Sequence, residues 1–358
     1  MGFKRSSSRM NAIESELRAG MTGKGITGPA QEEIVQGIKS FALYGFPESH
    51  AASFALLAYA SAYLKCHHPA AFVCALLNHW PMGFYHPSTL IADAARHGVE
   101  VRPIDVTASA WLCDLEDGGQ ALRLGLCYVR GLREAVGKRI AATRHGRPFS
   151  SLADLQMRVE ADRPELATLA EIGALAGFGG TRRQALWQAQ AIGRSGPLFL
   201  ACPATEGSPL PEMSAAAAMA ADFHGTGMST GPHPMAFVRA DLERQGIVSA
   251  AHLARIQHGQ RAAVAGIVVV RQRPGTAKGF VFLTVEDETG FANVIVAPSC
   301  FATYRNLIVT TAALVVAGVV QNQDGIVSVK ADHCAPLPGP GHEHHEHIAG
   351  IDVSRDFH

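Results

Sequence analysis

Six consecutive stretches decide how the last third of the chain folds: AAVAGIVVVRQR (262–273), GFVFLTVED (279–287), FANVIVA (291–297), PSCFATYRNLI (298–308), AALVVAGVV (312–320) and IVSVKAD (326–332). Five of them are short runs of β-branched and aromatic residues; only the fourth reads as a helix. Five strands with one helix after the third is the order of an OB barrel. A barrel domain is therefore predicted over residues 259–337.

Beyond it, residues 338–358 are expected to form a flexible tail. Its HEHHEH run, with His342, His344, His345 and His347, has the composition of a transition-metal chelator, but no rigid scaffold surrounds it and a His-rich linker is the expectation. Upstream, GRSGPLFLACPATEGSPLPEM (193–213) is rich in Gly, Pro and Ser and marks a connector with short helices, 196–258. Residues 106–195 read as short helices separated by glycine turns. Residues 121–195 carry twelve Lys and Arg against six Asp and Glu, a local positive excess that suits a polyanion. Residues 1–105 read as helices over Asn11–Ala19, Pro29–Ala42, His50–Lys65, Pro69–Trp80 and Ser88–His97, followed by an extended VEVRPIDV. The fold class is multidomain α + β: an all-helical amino-terminal region and tandem helix-hairpin-helix, then an all-β OB barrel.

The 358 residues and 47% hydrophobic content allow two or three domains with sizeable cores. Seven scattered cysteines, odd in number and without a CxxC pair, argue for a reducing compartment and against structural zinc. The longest uncharged apolar run, Ala51–Leu64, is shorter than the roughly 20 residues of a membrane span, so a cytoplasmic location without membrane contact is expected. Net charge is zero and neither predicts nor excludes nucleic acid.

In YGFPESHAASFALLAYASAYLKCHHPAAF (44–72), Gly45 and Pro47 stop one segment and Ser49 is placed to cap the next helix. Such a terminus seats a phosphate readily, with Ser49 and His50 at its edge; it is equally a simple cap on a buried helix. Both readings stay open on spacing alone.

This stretch resembles the fingers segment of the bacterial C-family DNA polymerases, the polymerase III alpha subunits. Further collinear matches are MGFKRS at the start, MGFYHPSTLIADAARHGVEVRPIDV, YVRGLREAVG, TGMSTGPHPM, VRQRPGTAKGFVFLTVEDETG, QNQDGIVSV and SRDFH. Together they are most similar to the error-prone paralogue, in which Pro47-Glu48 stands where replicative members usually show Asn-Lys. The resemblance implies a fingers remnant over residues 1–105, with Lys4, Arg5, Ser49 and His50 on the side of the incoming nucleoside triphosphate. Glu48 would repel that triphosphate, a looser grip in keeping with error-prone, damage-tolerant synthesis. It also implies DNA-directed nucleotidyl transfer with magnesium held by palm aspartates. No Asp-x-Asp occurs in the sequence, and Glu286–Glu288 reads as a solvated turn closing a strand. The expectation is therefore a carboxy-terminal portion that binds no metal, has no catalytic residue and does not extend primers alone.

RLGLCYVRGLREAVGKRIAATRHG (123–146) resembles a helix-hairpin-helix whose hairpin, Val129–Arg133, offers Arg130, Gly131 and Arg133 to DNA phosphate. A second unit is read in LAEIGALAGFGGTRRQALW (169–187), with Gly177, Gly179 and Gly180 at its turn and Arg182 and Arg183 beyond. For both, the alternative is a packing turn with solvated arginines. In the barrel, Arg271, Arg273 and Lys278 are candidates for single-strand phosphates. Phe280 and Phe282 share a face by two-residue alternation and are either base stackers or core. Single-stranded and primer-template DNA are the expected partners. SGPLF (195–199) lacks the leading Gln of a sliding-clamp motif, so recruitment through a damage-response, polymerase-like accessory protein is expected instead of direct clamp binding. Two other functions compete: a non-catalytic accessory that binds single-stranded nucleic acid, and an aminoacyl-tRNA synthetase-like protein, suggested by its similar barrel.

Overall fold

The computed structural model describes residues 7–43, 48–82, 85–191, 208–323, 325–337 and 355–357. The chain divides into two compact units, Met1–His67 and His68–His358.

The first unit is helical, with α1 (Ser7–Gly23), α2 (Pro29–Leu43) and α3 (Glu48–His67). Gly25 and Gly28, at φ 79° and 69°, reverse the chain between α1 and α2. Across that turn Arg18 makes a bidentate pair with Glu32 at 2.8 and 3.1 Å and bonds Glu14 at 3.0 Å. The predicted helices are present, each extended by one to four residues at its ends.

The second unit opens with α4 (Pro69–Asn78) and α5 (Pro87–Arg96), each with Pro at its start, where the missing N–H costs nothing. The expected extended segment contributes only β1 (Glu100–Arg102). It pairs in parallel with β3 (Ala121–Arg123), which is antiparallel to β2 (Asp114–Glu116). Helices α6 (Glu134–Gly146), α7 (Leu152–Val159), α8 (Arg163–Glu171) and α9 (Arg182–Ala191) then pack around a core that includes Leu122, Leu126, Ile140, Leu155, Leu166 and Leu169, all fully buried. α8 begins with a reciprocal capping box between Asp162 and Glu165.

Residues 208–258 lie in the segment read as a connector with short helices. They form α10 (Ala215–Thr226), α11 (Arg239–Arg244), β4 (Ile247–Val248) and α12 (Ala250–Leu253). Met219, Met235, Val238, Leu242 and Ile247 share a core with Ala265, Ile267, Val269, Ala313 and Val315 of the barrel. This segment is therefore packed onto the barrel through a shared core.

The barrel has the predicted order: β5 (Arg261–Gln272), β6 (Val281–Asp287), β7 (Gly290–Val296), α13 (Pro298–Thr310), β8 (Ala313–Gln323) and β9 (Ile326–Pro336). The strands run β5-β6-β7-β9-β8, and β8 pairs back onto β5 to close the sheet. A bulge between Val268 and Val270 bends β5 so that its first half serves β8 and its second half β6. A Cβ at Gly266 would lie 2.7 Å from the Glu286 carbonyl, and one at Gly318 would lie 2.0 Å from that of Lys330; side chains there would force the strands apart. Val264, Leu283, Val285, Val294, Leu314, Val316 and Val329 fill the interior together with Phe301 and Ile308 of α13.

The carboxy-terminal tail is not wholly irregular. β10 (Arg355–Phe357) adds in parallel to β5 opposite Val270–Gln272, while the histidine run lies outside the described residues.

Candidate nucleic-acid interface

The first predicted hairpin is docked into the protein. Gly131 sits at its exposed tip with φ 79°, but the Arg130 amide donates to the Gly225 carbonyl at 2.8 Å and its guanidinium to the His224 carbonyl at 2.9 Å. Arg133 directs its amide and Nε to Glu165 Oε1, both at 2.9 Å, and its Nη2 to Oε2 at 2.8 Å. Burial works to raise the Glu165 pKa; the bonds from Arg133 and from the Asp162 amide outweigh it and hold the carboxylate below its usual range. Glu165 thus engages both the backbone amide and the guanidinium of Arg133 at the end of the hairpin.

The second hairpin keeps its tip open. α8 and α9 are joined through Ala176–Phe178, with Ala176, Gly177, Gly179 and Gly180 exposed. Gly179 and Gly180 have φ 82° and 84°, which L side chains rarely adopt. No atom lies within 4 Å of a Cβ placed on Gly179, so a backbone-sized ligand could approach closely. Of the arginines beyond it, Arg182 is engaged within the protein. Arg182 bonds the Glu171 and Ala218 carbonyls at 3.1 Å and Asp222 at 2.6 Å, pinning α9 to α8 and α10. The Nε of Arg183 is buried with no hydrogen-bond partner among the described residues.

On the barrel, the expected pairing of Phe280 with Phe282 does not form. β6 starts at Val281, leaving half-buried Phe280 in the preceding loop, whereas Phe282 is exposed on the outer face. Its aromatic companion is Phe291 on β7, also exposed, which stands opposite Glu286 in the β6–β7 register. The outer face therefore reads Phe282–Thr284–Glu286 on one strand and Ile295–Asn293–Phe291 on the next. The two rings lie about 13 Å apart along the strands, at roughly 3.3 Å per residue. Gln272, opposite Phe282 on β5, extends the face. Tyr85, His86 and Thr89 form the other wall, enclosing a cleft of about 430 Å³. Aromatic faces flanking Thr, Asn and Gln side chains can stack unpaired bases and bond their edges.

The barrel cations lie elsewhere. Arg271 donates to the carbonyls of Ile308 and Thr311 at 2.8 and 2.6 Å, capping the carboxy terminus of α13. Arg273 stacks 5.0 Å over Phe301. Lys278 is exposed in the β5–β6 loop with φ 51°.

Glu286–Glu288 is structural, as expected, but it is not a solvated turn. Glu286 and Asp287 are buried. Arg96 bonds Glu286 at 2.9 Å, and Arg239 bonds Asp287 at 2.8 Å and Glu288 at 2.5 Å. Asp287 also accepts the Ala250 amide at 2.7 Å. The run is the ionic link between barrel, α5 and α11. Burial pushes Glu286 up to about 7, an effect that Arg96 and Thr89 offset only in part, and pushes nearby His233 down to about 4. Arg96 also lies 4.8 Å over the Phe291 ring, so one side chain braces both the carboxylate and the aromatic face.

Of the nucleotide-side residues, Lys4 and Arg5 lie outside the described residues. Ser49 is the second residue of α3, so the capping position falls on residues 44–47, also outside them. His50 is exposed, with its ring 4.4 Å from that of Phe54. Segment 195–199 likewise lies outside the described residues. No described helix is long and apolar enough to cross a membrane.

Residues 98–185 match a family described as Helix-hairpin-helix motif, and residues 262–337 one described as OB-fold nucleic acid binding domain. The chain is 47% identical over 350 residues to an error-prone DNA polymerase of Anaeromyxobacter dehalogenans (strain 2CP-C), covering 94% of this chain and 31% of the relative. It is 44% identical over 368 residues to the error-prone DNA polymerase of Azoarcus sp. (strain BH72), covering 100% of this chain and 34% of the relative. It thus spans about a third of the length of the curated relatives it matches. An asparaginyl-tRNA synthetase from Pyrococcus horikoshii aligns with 25% of the chain and 22% of its own, at 21% identity and a TM-score of 0.22, too slight a likeness to carry an argument.

Proposed function

We propose that this chain, which belongs by sequence to the bacterial error-prone DNA polymerases of the C family and spans about a third of its relatives' length, is a DNA-binding part of a DNA-directed DNA polymerase. The observation that carries the reading is the cleft on the barrel's outer face, where exposed Phe282 and Phe291 flank Thr284 and Asn293. Such a surface stacks bases without demanding a sequence, as a template strand requires. The open tip at Gly179 supports a second contact, to the backbone of the primer-template duplex.

Within the intact polymerase, Lys4, Arg5, Ser49 and His50 would face the incoming triphosphate, and the damage-tolerant role and a polymerase-like accessory partner follow from the same kinship. Magnesium would act on carboxylates other than Glu286–Glu288, which Arg96 and Arg239 engage. No cluster of three His, Cys, Asp or Glu side chains among the described residues is arranged to hold a metal.

A second reading is a non-catalytic single-strand-binding accessory, for which the exposed aromatic face of the barrel would suffice by itself. Primer extension with magnesium separates the two. A mixture of this chain with the unmatched two-thirds of the Anaeromyxobacter relative should extend a labelled primer if the chain is a polymerase part. Extension that never depends on this chain, in a mixture where it still binds DNA, would favour the accessory.

A further inference from the structure

Helix α5 turns Thr89 to the cleft beside Phe282 and Phe291, and turns Ile91, Ala92 and Ala95 to a second cavity of about 460 Å³. That size falls in the range of small-molecule sites. Glu286 lines the second cavity and accepts a bond from Thr89 at 3.5 Å, so this pair forms a partition between the two spaces. Buried Ile91 and Ile267 and half-buried Phe223 supply apolar walls. Thr230 and His233 bring polar groups from the loop 229–233.

His233 is held by the residues that follow it. Pro234 starts a short turn, Pro234–Phe237, whose Met235 amide donates to His233 Nδ1 at 3.2 Å. With Nδ1 accepting, the ring proton sits on Nε2, which makes no hydrogen bond among the described residues. Burial keeps the ring neutral, pushing its pKa down to about 4. The charged groups of the lining are already matched, Glu286 by Arg96 and Glu288 by Arg239. A phosphate would meet two carboxylates there, and a cation would meet Arg96. Apolar walls with a neutral donor and a hydroxyl at one side suit an uncharged, planar heterocycle that carries an acceptor on its edge.

We propose that this cavity is a nucleobase pocket, in which the base lies among Ile91, Phe223 and Ile267 and accepts a hydrogen bond from His233 Nε2. Enzymes that handle an unpaired base hold it in this way, between apolar side chains and against donors aimed at its edge. The choice of a nucleobase among such heterocycles rests on the proposed DNA binding; the shape and polarity of the cavity do not. Two sources carry the same chemistry: a free nucleoside, and a base turned out of a strand held in the adjoining cleft.

Acrylamide quenching of 2-aminopurine fluorescence tests the pocket in two arms, with the deoxyriboside alone and with a single-stranded oligonucleotide carrying one internal 2-aminopurine, each added to the full chain. In at least one arm the base should be protected from acrylamide by about fivefold or more. Ala92→Trp fills the cavity from α5, and His233→Phe keeps a ring but removes the donor. Each should abolish that protection while oligonucleotide affinity by anisotropy stays within about twofold. Protection in the deoxyriboside arm identifies a free nucleoside as a source, and protection confined to the oligonucleotide identifies a base of the strand. Protection that survives His233→Phe or a folded Ala92→Trp, or that only Phe282→Ala with Phe291→Ala removes, would place the base elsewhere and overturn the proposal. So would free access of acrylamide to the base in both arms. An oligonucleotide that does not bind would count against the cleft, and the deoxyriboside arm would then decide on the pocket by itself.

Discussion

Arg96 donates to Glu286 across 2.9 Å and thereby joins α5 to β6, with the same guanidinium resting over Phe291. The carboxylate is buried and the arginine mostly so. Removing the positive partner would leave an uncompensated charge inside the protein, a change that costs on the order of 3–5 kcal/mol. Arg96→Met should therefore destabilise the second unit by about 3 kcal/mol at pH 8 and by less at pH 5, where Glu286 takes up a proton. Urea unfolding at the two pH values measures both; equal losses would mean that the pair is not electrostatic.

Glu286 should also give the protein a pH signature. Its folded pKa, pushed by burial to about 7, stands above its ordinary 4.5, so the folded state holds a proton that the unfolded chain has released. The resulting stabilisation is complete below about 4.5 and lost as pH rises through about 7. Glu286→Gln cannot titrate, and the difference in unfolding free energy between it and the wild type should shift by up to about 3 kcal/mol over that window. His233, buried and pushed to about 4, acts with the opposite sign: its contribution is present above its ordinary 6.5 and lost as pH falls through 4. It is common to both proteins and cancels in the comparison. A pH-independent difference would contradict the burial of Glu286.

The two hairpins should respond differently to substitution. Glu165→Ala strips the acceptor from the Arg133 amide and guanidinium, and should cost about 2 kcal/mol of stability while leaving duplex affinity within twofold. Gly179→Glu places a carboxylate at the open tip and should weaken primer-template binding at least fivefold, with only the roughly 1 kcal/mol strain expected of a side chain at positive φ. Calorimetry and anisotropy on the same preparations distinguish these outcomes. Reversed effects would exchange the roles assigned to the hairpins.

Arg271 is expected to act on folding and not on DNA. It caps α13 through two carbonyls, so Arg271→Ala should lower stability by about 1–2 kcal/mol and leave single-strand affinity unchanged. A loss of affinity without loss of stability would restore it to the interface.

The barrel was legible because its strands obey a period of two and its helix interrupts them at one place, a pattern held within 75 residues. The helix-hairpin-helix turns were legible from their glycines, which mark positions such as Gly131 and Gly179 where φ must be positive. What a guanidinium meets was not legible, because its partner lies far along the chain: Glu165 is 32 residues from Arg133, and Glu286 is 190 from Arg96. Hence Arg133, Arg182 and Arg271, which look like phosphate ligands in sequence, bond distant partners within the protein. Phe291 carried a signal that was overlooked, the alternation Phe291–Asn293–Ile295 that sets it on the same face as Phe282. Tyr85 carried none, since only the tertiary fold brings it opposite that face.

The central claim, that the cleft beside Phe282 and Phe291 binds single-stranded DNA, is tested most directly by anisotropy titration of a fluorescent single-stranded oligonucleotide. The account predicts binding at low ionic strength, weakened by about 1–3 kcal/mol for each of Phe282→Ala and Phe291→Ala with folding intact. A chain that ignores the oligonucleotide at low salt, or that binds it equally well without both rings, would contradict it.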